Sequence, residues 1–313
     1  MTGEMVAVAM GVHVLDVLVR PVEKIPEGQG GQLVEEIRVT AAGSAGGTAL
    51  TLAKLGARTR SAGAIGTDAV GDMLSRLLED GGIDTSMLVR RQDVQTSASV
   101  LPIRPTGERP AFHVVGANQT YGPDDVDWDT LAGTTHLHLG GPEFMGGEAA
   151  AQILAAARER GIVTSADVLA PGEMGVLEWI AAALPELDYL LPNDEQVLGF
   201  TGEDDLAAGC RVLVERGVGC VVATCGRDGA LIVDGQAEAR VPAFEVEVVD
   251  TTGCGDAFSA GFLRGLSLGR SREDAATLGC AAAALVAGGL GSDHGQFDLA
   301  AADAFAAATP RLS

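Results

Sequence analysis

The chain has 313 residues, 47% of them hydrophobic and 20% charged, with a formal charge of −22. That is enough apolar material for a large α/β core, and a surface too acidic for general affinity to nucleic acid. A small anionic ligand is not excluded, because backbone N–H groups can hold one on an acidic protein.

The chain opens with a short apolar strand, Val6 to Met10, and Met1 to Met10 carries neither a basic segment nor a long apolar core, so no signal peptide is expected. Two β-rich stretches follow, Val12 to Val19 and Gln32 to Val39, joined by a Pro- and Gly-rich link. Helical spacing runs from Thr48 to Leu55 and stops at Gly56; next come a strand over Arg60 to Ile65 and a helix over Ala69 to Asp80. Residues 96–104 and 110–115 alternate around Pro105-Thr106-Gly107-Glu108 and predict a hairpin. Paired with the N-terminal β stretches, it would form a small sheet acting as a lid, inserted over about 12–39 and 96–115.

From His136 onward strand and helix alternate. Strands are predicted at His136–Leu139, Ile162–Ala166, Tyr189–Leu191, Cys220–Thr224 and Ala230–Val233. Helices are predicted at Glu148–Arg160, Val176–Ala183, Asp205–Arg216, Asp256–Leu268 and Arg272–Ala287. This rhythm implies an α/β fold, a mostly parallel sheet with helices on both faces and ligands at the carboxyl ends of the strands. With no repeat and no low-complexity linker, residues 1–313 read as one domain plus the lid. No apolar run nears the ~18 residues of a membrane span. The five cysteines form no CxxC pair and no metal spacing with histidine, which points to a reducing compartment. We expect a cytoplasmic protein with no membrane partner.

The segment Val248-Val249-Asp250-Thr251-Thr252-Gly253-Cys254-Gly255-Asp256 carries the chemistry. A β-like run ends at Asp250, glycines flank a small residue, and a helix begins at Asp256. Such a turn aims consecutive N–H groups into one concavity, and the helix dipole adds positive potential. That site suits the charge developing on a transferred phosphoryl group, and Asp256 at its mouth could accept a hydroxyl proton. A tight turn with a helix cap would use the same residues.

The run resembles the D-T-x-G-A-G-D signature of ribokinase-type (PfkB) carbohydrate and nucleoside kinases, with Cys254 in place of alanine. The resemblance spans nearly the whole chain. It implies a three-layer α/β/α sandwich with a β-sheet lid, and ATP-dependent phosphorylation of a hydroxymethyl group on a sugar or sugar-like substrate. Asp256 would be the general base, and the Gly253, Cys254 and Gly255 backbone the anion hole.

Gly11 to Asp16 is similar to the family's G-x(4)-D, which implies that Asp16 binds substrate hydroxyls. Ala42 to Ala49 is similar to G-G-x-x-x-N-x-A, with Gly43 approaching the sugar. There Ala42 replaces a glycine and Gly47 replaces the substrate-touching asparagine, which hints at an atypical acceptor. Asn193-Asp194-Glu195-Gln196 stands where the family has N-x-x-E; Asn193 transfers to the nucleotide site, but Gln196 holds the glutamate's place. Glu195, one residue early, is then the candidate for Mg²⁺ through water, against a plain solvated first-turn acid. Thr224, Gly226 and Gly229 match T-x-G-x-x-G, a loop for ATP phosphates. Gly116-Ala117-Asn118 resembles the family's G-A-N, and Ala287 to Ser292 with Asp250 and Thr252 marks a possible monovalent cation site, K⁺. His113 on the hairpin is a further substrate-contact candidate, while His136 and His138 read as packing residues. The resemblance also implies homodimers paired through the lid.

Three rivals stand beside the sugar kinase. One is a nucleoside kinase of adenosine type. Another is a dinucleotide-dependent oxidoreductase, which would need G-x-G-x-x-G after the first strand, where Gly11-Val12-His13 stands instead. The last is a catalytically weak nucleotide-binding regulator.

Overall fold

The computed structural model describes residues 4–105, 108–170 and 177–312. Its strands are β1 (Val6–Gly11), β2 (Val14–Arg20), β3 (Glu36–Ala42), β4 (Arg58–Gly66), β5 (Asp84–Arg91), β6 (Ala98–Pro102), β7 (Phe112–Val114), β8 (His136–Gly140), β9 (Val163–Asp167), β10 (Tyr189–Leu190), β11 (Cys220–Thr224), β12 (Ala230–Asp234) and β13 (Glu238–Val241). Its helices are α1 (Ser44–Lys54), α2 (Ala69–Asp80), α3 (Pro142–Met145), α4 (Gly147–Glu159), α5 (Asp194–Thr201), α6 (Leu206–Glu215), α7 (Cys254–Ser267), α8 (Arg272–Ala287) and α9 (Leu299–Ala308).

Among the described residues nine strands make one sheet in the order β13-β12-β11-β10-β9-β8-β1-β4-β5. All neighbours pair parallel except β11–β12 and β12–β13. Alternate side chains of a strand enter opposite cores, as the period of two requires. Val221 and Ala223 of β11 pack with Ile153, Phe200 and Leu213 of α4, α5 and α6. Cys220 and Val222 pack with Leu52, Phe262 and Ala276 of α1, α7 and α8. Helices thus cover both faces, and a three-layer sandwich results. The strand order reverses beside β1, so the crevice beyond the ends of β1 and β8 is where such a sheet binds ligands.

The small sheet runs β3-β2-β6-β7. Its register sets Val17 beside Val39 and Val100, Val19 beside Ile37, and Val100 beside Phe112, so one face is apolar. Ile37 is 64% exposed and Phe112 60%. Asp16, one residue out of phase, points to the other face and is buried. Both excursions are tied at their base by Asn118. Its Oδ1 accepts from the His13 amide at 3.1 Å, and its Nδ2 donates to the His13 carbonyl at 3.0 Å.

Several predicted elements shift. The helix expected at Thr48 starts at Ser44, with Gly43 as its cap. The strand expected at Gln32–Val39 lies at Glu36–Ala42. The β-like run before Asp250 joins no strand, and the helix after it begins at Cys254, not Asp256. Val176 of the expected Val176–Ala183 helix lies outside the described residues, as do Thr106 and Gly107 of the hairpin turn. The remainder of that helix forms a 3-10 turn at Leu177–Trp179, and Pro185 enters another at Leu184–Glu186. So short an apolar stretch before a proline cannot recover the cost of starting an α-helix. Among the described residues no helix is long and apolar enough to cross a membrane.

Candidate active site

Gly253 makes the turn into α7 with φ +78°, and a Cβ there would lie 2.5 Å from Ser292 Cα, so only glycine fits. The Cys254 amide is already bonded to the Thr251 carbonyl at 3.2 Å. The amides of Gly253, Gly255 and Asp256 make no hydrogen bond among the described residues. Three unbonded amides thus stand at this turn without that of Cys254, whose thiol is turned to the Ala283 carbonyl at 3.6 Å. Burial pushes that thiol up to about 12, so it stays protonated. A Cβ at Gly255 would meet nothing within 4 Å, which leaves room for a phosphate against the helix N-terminus.

Asp256 sits half-buried in the first turn of α7. Desolvation raises its pKa well above the ordinary carboxylate value, and the charges of Asp167 and Asp16 push it the same way, while Arg109 opposes them. Asp16 reaches the same centre from β2; burial lifts it to about 6 against the pull of Ser99, its partner on β6, and of Arg109. Ser99 Oγ also meets His113 Nδ1 at 3.0 Å, so His113 serves the lid's own network.

Gly43 has φ +81°, and a Cβ on it would fall 2.6 Å from the Val12 carbonyl oxygen, so its first duty is the close approach of α1 to the segment leading into β2. Gly47 has a different neighbour. A Cβ there would lie 2.8 Å from Asp256 Cγ; the Asp256 carboxylate occupies the space that a side chain at 47 would fill.

Thr224 closes β11, Gly226 opens the 3-10 turn that follows it, and Gly229 ends that turn. They share a cavity of about 590 Å³ with Phe244, Thr251, Cys254, Gly255, Phe258 and Cys280. The Thr224–Gly229 turn, an apolar wall and the start of α7 thus face one space. Asn193 pairs with Thr224 across the strand ends, but its Oδ1 caps α5 by accepting from the Gln196 amide at 2.8 Å. Gln196 returns the bond to the Asn193 amide at 2.9 Å and spends its Nε2 on the Val168 and Ala170 carbonyls. An amide suits these duties better than a carboxylate, because it both donates and accepts. Glu195 is exposed on the first turn of the helix.

Asp250 is buried and its carboxylate is fully engaged. Oδ1 takes the Thr252 amide and hydroxyl at 3.0 and 2.7 Å, and Oδ2 takes the Gly291 amide at 2.9 Å. It therefore pins the Ala287–Ser292 segment to the anion-hole turn.

The family model described as "pfkB family carbohydrate kinase" matches residues 10–296. The chain belongs to that family. Among pfkB relatives, an ATP-dependent ribose-1-phosphate kinase of Halopiger xanaduensis is 31% identical over 83% of this chain and 84% of its own. A nucleoside kinase of Methanothermobacter thermautotrophicus is 27% identical over 82% and 81%. The crystal structure of the ribokinase of Thermotoga maritima, 25% identical, superposes with a TM-score of 0.79 over 97% of this chain and 99% of that one. The protein is thus an ATP-dependent sugar or nucleoside kinase with the ribokinase fold, as its motifs implied.

Two residues of the centre carried no motif signal. Arg109, on the lid side, donates from Nη1 to Thr252 Oγ1 at 2.7 Å. Asp167 ends β9, buried, with Oδ2 3.6 Å from His138 Nε2. An acid at the carboxyl end of a strand beside the switch point was a signal that could have found it; nothing local marks Arg109.

The acid cluster sets a pH dependence. A base with a raised pKa is deprotonated, and so active, only as pH climbs through that value. In Asp167→Asn a repelling charge is lost and Asp256 ionises more easily. The acidic limb of the kcat profile is expected to move to lower pH; a limb that stays in place, or moves up, would show that Asp167 does not act on the base.

Proposed function

We propose that the chain transfers the γ-phosphoryl group of ATP to a hydroxymethyl group of a sugar or sugar-like acceptor. The acceptor O–H gives its proton to the Asp256 carboxylate as its oxygen bonds to the γ-phosphorus. The bond from that phosphorus to the ADP oxygen breaks, and ADP leaves with the electron pair. The amides of Gly253 and Gly255 and the α7 dipole take the charge on the moving phosphoryl group. Asp16 accepts acceptor hydroxyls, with Gly43 beside it. Thr224, Gly226, Gly229 and Asn193 hold the nucleotide. The observation that carries this is one turn of helix holding both unbonded amides and a carboxylate of raised pKa, opposite a second buried acid.

Mg²⁺ bound with ATP would offset the phosphate charge. The Gly255 opening fits the phosphates, whereas the neutral Gln196 amide is bonded to Asn193, Val168 and Ala170 and brings no charge to the ion; Glu195, through water, is the residue that would help hold it. A K⁺ ion on carbonyls of the Asp250–Thr252 and Ala287–Ser292 segments, which Asp250 pins together, belongs to the same proposal. Measuring ADP formation across pentoses, hexoses, sugar acids, sugar phosphates and nucleosides, with K⁺ or Na⁺, tests all of this. Turnover of none of them would sink the reading in favour of a nucleotide-binding regulator.

A nucleoside acceptor is the second reading. It is favoured by a cavity of about 810 Å³ lined by Phe144, Leu169, Trp179 and Glu143, next to Gly141, itself against Val12. Nucleosides outrunning every sugar in the same assay would establish it.

The apolar outer face of the small sheet supports a homodimer paired lid to lid. Phe112→Glu is expected to turn a dimer into a monomer in sedimentation equilibrium. A wild-type chain that sediments as a monomer at every concentration would remove the proposal.

A further inference from the structure

Arg109 stands at the edge of the small sheet's hairpin, yet its side chain is held by the body. Thr252 Oγ1 accepts from its Nη1 at 2.7 Å and passes its own proton to Asp250 Oδ1, also at 2.7 Å. The hydroxyl is thereby fixed as an acceptor, and the guanidinium is placed at the turn that precedes Gly253. Thr252 takes one N–H of a planar fork that carries five.

The position is on the acceptor side. The residues that wall the nucleotide cavity include Thr251, Cys254 and Gly255 but not Arg109. Among the described residues Arg109 is the cation whose charge reaches both Asp16 and Asp256, the acids between which an acceptor would lie. A neutral sugar has no need of it, since Asp16 can take its hydroxyls. An anionic sugar does need it, because Asp16, Asp167 and Asp256 would otherwise repel the ligand. A guanidinium fork matches phosphate and carboxylate oxygens in pairs.

We propose that Arg109 binds an anionic group, phosphate or carboxylate, on the acceptor, so that the substrate is a charged sugar with a free hydroxymethyl group. This rests on the phosphotransferase reading above. It makes Arg109 a specificity-determining residue rather than part of the nucleotide site.

The test compares ribose, ribose 1-phosphate and a hexonic acid as acceptors at saturating ATP, for the wild type, Arg109→Gln and Arg109→Lys. The wild type is expected to prefer one anionic acceptor by about 100-fold in kcat/KM, and the arm that wins tells phosphate from carboxylate. In Arg109→Gln that preference should fall by roughly 30- to 100-fold, mainly through KM, the size of a charge-assisted hydrogen-bond pair. Arg109→Lys should recover part of it. No preference for a charged acceptor would overturn the proposal. So would an Arg109→Gln loss that falls in kcat equally on neutral and charged sugars, or that raises KM for ATP, since either moves Arg109 to the phosphoryl group. Calorimetric binding of the same sugars without ATP separates the two readings. If no sugar is turned over the kinase reading fails, and tight binding of a charged sugar that Arg109→Gln abolishes still upholds the role of Arg109. Absence of that difference overturns it.

Discussion

Asp256→Asn is expected to lower kcat by about 10³- to 10⁴-fold while KM for ATP stays within about twofold. Proton acceptance by a positioned base contributes roughly 10²–10⁴, and the amide also gives up the charge that would draw the hydroxyl proton. The cavity proposed for the nucleotide should keep its shape, because Asp256 does not line it and an isosteric amide leaves its neighbours Cys254 and Gly255 in place. The same substitution should stabilise the fold. A carboxyl group whose folded pKa is raised holds more protons in the native than in the unfolded chain over the window between the two values. Stability therefore falls as pH rises through that window, and stays lower above it. The neutral amide has no such penalty. A thermal midpoint at pH 8 above that of the wild type, with turnover almost gone, is the expected pair of results. Near-normal turnover would dismiss Asp256 as the base, and a lowered midpoint would show that its charge is not held at a cost.

Gly47→Asn restores the residue that the family pattern carries, and it is expected to damage the enzyme. The new Cβ would lie 2.8 Å from Asp256 Cγ and 2.9 Å from its Cβ, so the carboxylate must turn away and the backbone carrying Asp256 must shift as well. Displacing a reacting group by an ångström costs on the order of 10²-fold. We expect kcat to drop by about 10- to 100-fold, with Gly47→Ala close behind, and only a small change in the thermal midpoint. Improved turnover of ribose in Gly47→Asn would mean that the carboxylate has room to move and that the missing amide was the limiting contact.

Much of this was legible before any coordinates. The helix Ala69–Asp80 was marked by Asp68, which caps it at 2.9 Å from the Gly71 amide. The strand Cys220–Thr224 and the helix Arg272–Ala287 also fall on their predicted bounds. The strands β5 and β13 were not predicted. Both are edge strands with charged residues along them, and an edge gives one side to water, so the apolar run that marks a parallel core strand never develops. The small alanine-rich α9, with only Ala302 buried, presents no periodic apolar face.

The same division holds in the site. Residues within one turn, Gly253, Gly255 and Asp256, were legible because their spacing alone creates the geometry. Arg109 was not, because its meaning comes from a hydroxyl 143 positions away. The loss of a glutamate at Gln196 was legible as a departure. Its reason, a reciprocal helix cap with two further carbonyl bonds, was not.

The asparagine that clasps His13 has a consequence for the acceptor. Both excursions into the small sheet are tied at one amide clamp, so Asp16 and the backbone of Arg109 belong to one plate, while Asp256 belongs to the body that the Arg109 side chain reaches. On the proposed roles, the acceptor would take one set of contacts from the small sheet and its base from the large one. Such a division, on those roles, ties the placement of the acceptor to the seating of one sheet against the other.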